Sequence, residues 1–177
     1  MTAPANAVVK SLTDRRLDVD DPAVHHLLYL CQGHHLGWFA EPLFAEPILA
    51  TDRGPHVEFD PGEDIRLPNR ELNTIGYVLS RYGNLLVRDL ATLIRAQSPY
   101  QLAEAGRQPG QTAHISVDVL RQHFAAANAV ERAETGISEE AIAQLVAGAR
   151  ERLNDPLSVD TPQVRERMRA RFADHAR

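Results

Sequence analysis

The fold is decided by residues 21–39, which read DPAVHHLLYLCQGHHLGWF. The aspartates at 20 and 21 can accept hydrogen bonds from unpaired helix amides, and Pro22 suits a first helical turn, so a helix is predicted from here to about Phe39. Six side chains along it recur at spacings of three, four and seven: Val24, Leu27, Leu28, Cys31, His35 and Trp38. This period predicts one broad buried stripe against which the rest of the chain packs.

Proline and glycine set the next segment apart. They disfavour helix between residues 41 and 68. Short extended stretches lie on either side of Asp52-Arg53-Gly54-Pro55. The segment is therefore predicted to be rich in loops and to contain a small β-hairpin.

Helical patterns occupy most of the remaining chain. A short helix is predicted over 5–12, and others after Pro68, Gly83, Ser98, Ser116, Ser138 and Thr161, with Gly83 ending its helix in a left-handed conformation. Residues 107–113 are predicted to be a loop. We therefore predict an all-α fold: a mainly helical single domain over 1–134, with a small β-hairpin insertion, and a helical C-terminal extension over 135–177.

The charge balance argues against direct nucleic-acid binding, which depends mainly on Lys and Arg that neutralise phosphates. The net charge is −5, and residues 1–149 carry 19 acidic and 12 basic side chains, so the body could attract a basic partner. No secretory signal pattern begins the sequence, a single cysteine fits a reducing compartment, and no apolar run approaches the roughly 20 residues of a membrane helix. We therefore expect a cytoplasmic protein with no membrane partner.

The histidines His25, His26, His34 and His35 around Cys31 are the main chemical feature. Cys31 and His35 lie one helical turn apart and could share a zinc ion, although two further ligands would be needed. A Cys31 nucleophile with a histidine base is the catalytic alternative, but a catalytic thiol needs an exposed, electropositive pocket. The simpler interpretation is a buried cysteine flanked by core or surface histidines, so we expect no metal, no cofactor and no catalysis.

An ordered series of motifs resembles the Panacea domain over most of residues 5–124. In chain order the motifs are His26-Leu27-Leu28-Tyr29 with Gln32-Gly33-His34-His35-Leu36, Pro42-Leu43-Phe44 with Glu46-Pro47-Ile48, Gly54-Pro55, Tyr82-Gly83 followed by Leu90 and Leu93, Ser98-Pro99-Tyr100, and residues 115–124. The sequence departs from that pattern where His26 replaces a usual lysine, Thr51 a usual tryptophan and Leu86 a usual capping serine.

The resemblance implies a helical antitoxin domain, of a kind found in bacteria and their phages and associated with phage defence. Such a domain neutralises a toxin encoded by a neighbouring gene, and direct protein–protein binding is the mode that the resemblance implies first. One alternative is a proteolytic adaptor that delivers the toxin to a cytoplasmic protease. Another is a metal-binding enzyme that uses the His25/His26/His34/His35 cluster. Assembly into a homo-oligomer stays open.

Two segments are the predicted partner contacts. The first is the hairpin turn with Arg53, His56 and Glu58, where Gly-Pro shapes a tight turn and arginine is a residue type enriched at binding hot spots. The second is the final helix, where Val164, Met168 and Phe172 follow one another at a spacing of four. That apolar line could pack on its own domain or enter a groove of the partner.

Overall fold

In the computed structural model, the chain is described over residues 2–15, 22–60, 62 and 65–135. Its elements, in order, are α1 (Ala5–Thr13), α2 (Ala23–Phe39), β1 (Ile48–Thr51), β2 (Gly54–Val57), α3 (Asn69–Tyr82), α4 (Val87–Arg95), α5 (Ser98–Ala105), β3 (Ala113–His114) and α6 (Val117–Thr135). The strands form an antiparallel sheet in the order β2-β1-β3. The predicted mainly helical architecture with a hairpin is confirmed. A third strand, β3, replaces the end of the predicted loop over 107–113, so the fold is mainly helical rather than purely α.

The central helix α2 is buried on all its faces. Every residue from 26 to 36 is buried, and α1, α3, α4 and β2 all contact the helix. The prediction of a single buried stripe is therefore wrong. Polar side chains on the other faces, such as Gln32 and His34, are buried because they form hydrogen bonds to residues far away in the sequence. A helix enclosed in this way is the axis of the core, not a surface element with one apolar face.

Two glycines allow α6 to lie close against α2. Gly33 and Gly37 stand four residues apart and therefore share a helix face. A Cβ atom at Gly37 would lie 2.8 Å from the backbone carbonyl carbon of Phe124, closer than carbon atoms normally approach. The ring of Phe124 fills the equivalent space at Gly33. Both positions therefore require glycine, because any side chain would collide with α6.

Gln32 holds the segment that follows α2. Its Oε1 accepts hydrogen bonds from the backbone N–H groups of Leu43 (2.8 Å) and Phe44 (3.2 Å), and its Nε2 donates to the carbonyl of Phe44 at 3.0 Å. All these groups are buried, so the side chain satisfies three backbone groups that water does not reach. The approach to the hairpin is therefore fixed from inside the core.

The hairpin is held by the pairing of its two strands, by one tyrosine of α5 and by strand β3. Strand β1 pairs with β2 so that Ile48 faces Val57 and Thr51 faces Gly54. The Tyr100 hydroxyl donates to the carbonyl of Thr51 at 2.9 Å, which ties α5 to the end of β1. Strand β3 pairs with the other side of β1. The sheet is thus anchored on both sides of its central strand.

The predicted left-handed end of α3 is wrong. Gly83 has φ −65°, in the right-handed region, and its N–H still donates to the carbonyl of Leu79. The chain continues to turn after α3, since the N–H of Leu85 donates to the carbonyl of Tyr82 at 3.0 Å. Left-handed geometry is found instead at Ala40, with φ 57°, which ends α2.

The chain divides into two units, Met1–Glu131 and Arg132–Arg177. The division falls inside α6. The predicted extension over 135–177, with its helices after Ser138 and Thr161, lies outside the described residues from 136 onwards, as do the aspartates at 20 and 21. Within the described ranges, no helix combines the length and the apolar character that a membrane span requires.

Candidate functional site

A surface groove lies between the start of α2 and the hairpin. It has a volume of about 910 Å³ and is lined from α2 by His25 and His26, from the hairpin by residues 51, 53 and 55–57, and from the following segment by residues 58–60. Three of the residues predicted to contact a partner, Arg53, His56 and Glu58, line this one depression. We call it the hairpin groove.

Three aromatic rings lie together along the hairpin groove. The ring centres of His25 and His56 are 4.3 Å apart, and those of His25 and Phe59 are 5.9 Å apart. The Nδ1 atom of His25 accepts the backbone N–H of Val57 at 3.3 Å, so neutral His25 carries its proton on Nε2. Burial, followed by the neighbouring His56 and His26, lowers the pKa of His25 to about 4. His25 is therefore an uncharged ring at neutral pH.

Gly54 begins β2 at the point where the hairpin meets His26. Its φ of 122° is one that L-residues with a side chain rarely adopt, and a Cβ atom there would lie 2.7 Å from Nε2 of His26. The imidazole cannot easily withdraw, because its Nδ1 donates to the carbonyl of Pro22 at 2.9 Å. The Gly-Pro turn is therefore required both by the backbone conformation and by the contact with α2.

Asp52 secures the hairpin turn and is not part of the groove lining. Its carboxylate accepts hydrogen bonds from the Arg107 guanidinium (2.5 Å) and from the N–H of Gly110 (2.9 Å), and its carbonyl accepts one from Arg95 at 3.0 Å. The hydrogen bonds from Arg107 and Gly110 hold the pKa of the Asp52 carboxyl below its usual value. The next residue, Arg53, is exposed on the groove side. The turn therefore presents Arg53 from a fixed backbone.

The outer edge of β2 is poorly suited to pairing with a further strand. Pro55 has no N–H group, and the N–H of Val57 already donates to His25. Two of the four residues in this edge strand thus lack an available amide hydrogen. A partner at the hairpin groove would have to be bound through side chains, because strand addition depends on main-chain hydrogen bonds.

The structure separates the four histidines of the predicted cluster. His25 and His26 line the hairpin groove. His34 is buried, and its ring nitrogens lie 3.1 Å from Oδ1 of Asn128 and 3.2 Å from the hydroxyl of Tyr82. His35 is bonded instead to the Thr74 hydroxyl, at 2.9 Å. The two pairs lie nine residues apart on one helix, or about 13 Å along its axis.

That separation weighs against one metal ion bound by all four histidines. Within the described ranges, no group of three or more His, Cys, Asp or Glu side chains is placed to hold a metal. Cys31 is fully buried, and burial raises the pKa of its thiol far above the usual value. A thiol of this kind is a poor nucleophile, because the thiolate is the reactive form.

The remaining predicted contacts, Val164, Met168 and Phe172, lie outside the described residues. Sequence reasoning missed Phe59 as a groove residue and placed His25 only in the histidine cluster. The proximity of His25 to the hairpin has no sequence signal of its own, since 31 positions separate it from His56. Comparison with known proteins adds no relative: no family model, no curated protein and no solved structure matches this chain.

Proposed function

We propose that this chain is a cytoplasmic, non-enzymatic antitoxin that neutralises the toxin encoded by a neighbouring gene by binding it directly through the hairpin groove. The resemblance of residues 5–124 to the Panacea domain supplies the antitoxin role. The observation that carries the choice of surface is the convergence of Arg53, His56 and Glu58 on one depression of about 910 Å³. Val164, Met168 and Phe172 of the C-terminal segment are proposed as further contacts.

The form of the groove supports binding of a protein rather than turnover of a small molecule. The partly exposed Phe59 and the exposed Arg53 are residue types enriched at the centres of protein interfaces. The thiol that could act as a nucleophile is buried in α2, away from any surface. The groove therefore offers contact area and charge without an evident reactive group.

Growth of cells that produce the neighbouring toxin, with and without this chain, tests the proposal. The variant Arg53→Glu should lose rescue, because it places a negative charge at the centre of the contact and weakens binding by roughly tenfold or more. Arg88→Glu is the matched control, since it changes the net charge equally at an 80 % exposed side chain on α4. Equal rescue by both variants would show that the hairpin groove is not part of the interface.

The same cells distinguish direct inhibition from delivery to a protease. Direct binding predicts an unchanged half-life of the toxin and a stable complex in a pull-down. An adaptor predicts a toxin that disappears faster when this chain is present. Rescue that depends on the protease would overturn the proposed direct mode while keeping the antitoxin role.

A further inference from the structure

The hairpin turn, residues 51–54, is braced from within. The Thr51 hydroxyl donates to the carbonyl of Gly54 at 2.8 Å and accepts the N–H of Arg53 at 3.2 Å. Within the described ranges, the side chain of Arg53 forms no hydrogen bond and no ion pair, although it lines the hairpin groove. The turn thus fixes its backbone without using the Arg53 guanidinium, which is left for contact with a partner.

Arg107 braces the same turn from outside the groove. Its guanidinium binds the Asp52 carboxylate at 2.5 Å and the Glu104 carboxylate at 2.9 Å. It also donates to the carbonyl of Gln111 at 2.8 Å, so the turn, α5 and the loop before β3 meet at one side chain. This side chain is only 7 % exposed and is not part of the groove lining. Its planar fork of five donors can hold several acceptors in one arrangement, which a flexible lysine does not do.

The peptide unit between Asp52 and Arg53 is hydrogen-bonded at both of its polar groups. Its carbonyl accepts the Arg95 guanidinium at 3.0 Å, and its N–H donates to the Thr51 hydroxyl. Arg107 holds the Asp52 side chain on the same peptide unit. The direction in which Arg53 leaves the backbone is therefore set before a partner is present. A loop that is ordered beforehand loses less conformational entropy on binding, so its affinity is higher.

We propose that Arg107 is a positioning residue for partner binding, which acts through Arg53 although it does not line the groove. It holds Asp52, and with it the peptide unit from which the Arg53 guanidinium is presented. The Asp52 side chain is 55 % exposed and Gln111 is exposed, so water can replace Arg107 at both acceptors. Loss of Arg107 should therefore loosen the turn in a chain that still folds. The inference rests on the proposed antitoxin function for the partner, but the hold on the turn can be measured without it.

The first test uses the full chain alone and follows tryptic cleavage of the Arg53–Gly54 bond by mass spectrometry. Arg107→Met should speed this cleavage by roughly fivefold or more, because cleavage tracks the population of the open turn and one charge-assisted contact is lost. Arg121→Met is the matched control, since it removes the same charge and one tryptic site from a 43 % exposed side chain on α6. Arg107→Lys keeps the charge without the fork and should behave like Arg107→Met, and it carries the test if circular dichroism shows that Arg107→Met does not fold.

The second test measures affinity for the neighbouring toxin in a double-mutant cycle. Arg107→Met should weaken binding roughly three- to tenfold in the parent chain and leave it unchanged in a chain that already carries Arg53→Ala, because the residue through which Arg107 acts is then missing. Arg121→Met should change neither affinity. Loss by the same factor in both backgrounds would show that Arg107 acts independently of Arg53 and would overturn the proposal.

Equal cleavage rates in Arg107→Met and Arg121→Met would overturn the proposal as well, whatever the affinities. Absence of any complex would overturn the proposed function and with it the role of Arg107 in binding. Faster cleavage in Arg107→Met would then retain only its hold on the hairpin turn.

Discussion

Replacing Gly54 with alanine tests whether the hairpin is held against α2 as the structure describes. The φ of 122° at this position costs an L-residue about 1–3 kcal/mol. The new Cβ would also lie 2.7 Å from Nε2 of His26, so the imidazole must move and its hydrogen bond to Pro22 weakens, which costs about 1 kcal/mol more. We expect Gly54→Ala to lower the free energy of unfolding by about 2–4 kcal/mol.

Gly76→Ala is the matched control for that substitution. Gly76 lies on the exposed face of α3, and an added Cβ would meet no atom within 4 Å. Alanine in a helix interior is favoured over glycine by about 0.5–1 kcal/mol, so this variant should be more stable than the parent chain. Thermal unfolding followed by circular dichroism should therefore separate the two variants by roughly 10 °C. A Gly54→Ala protein as stable as Gly76→Ala would refute the assigned backbone conformation and the contact with His26.

Three further predictions concern the core. Gln32→Leu should lower the free energy of unfolding by about 3 kcal/mol or more, since it leaves buried backbone groups of Leu43 and Phe44 without partners. Urea unfolding measures this loss, and it should show no comparable loss for the control Gln122→Leu at an exposed position. Gly37→Ala should lower the free energy of unfolding by about 1–3 kcal/mol in the same measurement, because the added methyl group meets the backbone of α6. Most Gly→Ala changes in helices raise this free energy, so a rise here would contradict the close packing of the two helices. Burial lowers the pKa of His34 from 6.5 to about 4. The unfolded chain therefore binds a proton first as the pH falls, so the contribution of His34 to stability is complete above pH 6.5 and decreases by up to about 1.4 kcal/mol per pH unit towards pH 4. The lowered pKa of His25 adds a loss of the same sign over this range. A melting temperature that stays constant from pH 7 to pH 5 would contradict the buried, neutral state of His34.

The local elements could be predicted from the sequence because their signals are local. The span of α2 follows from Pro22 and the apolar period, and the hairpin follows from the turn residues 52–55. The two-residue strand β3 has no such signal, since it exists only through its pairing with β1. Elements formed by pairing over a long distance are therefore the ones that the pattern missed.

Burial of the polar side chains of α2 could not be predicted for the same reason. The partners of Gln32, His34 and His35 lie between 11 and 94 positions away in the chain. Without those partners, a histidine-rich helix resembles a metal-binding or surface helix. In the candidate site, Arg53, His56 and Glu58 could be predicted together because they lie within one short segment. His25 joins them only through the packing of α2 on β2, which the sequence pattern does not indicate.

The most direct test of the account is hydrogen–deuterium exchange of the purified chain, alone and mixed with the product of the neighbouring gene. Direct binding through the hairpin groove predicts slower exchange of the backbone amides over 53–60 in the complex, with little change along the exposed face of α3. A stable complex in which residues 53–60 exchange as fast as in the chain alone would contradict the proposed interface, and the absence of any complex would contradict the antitoxin function itself.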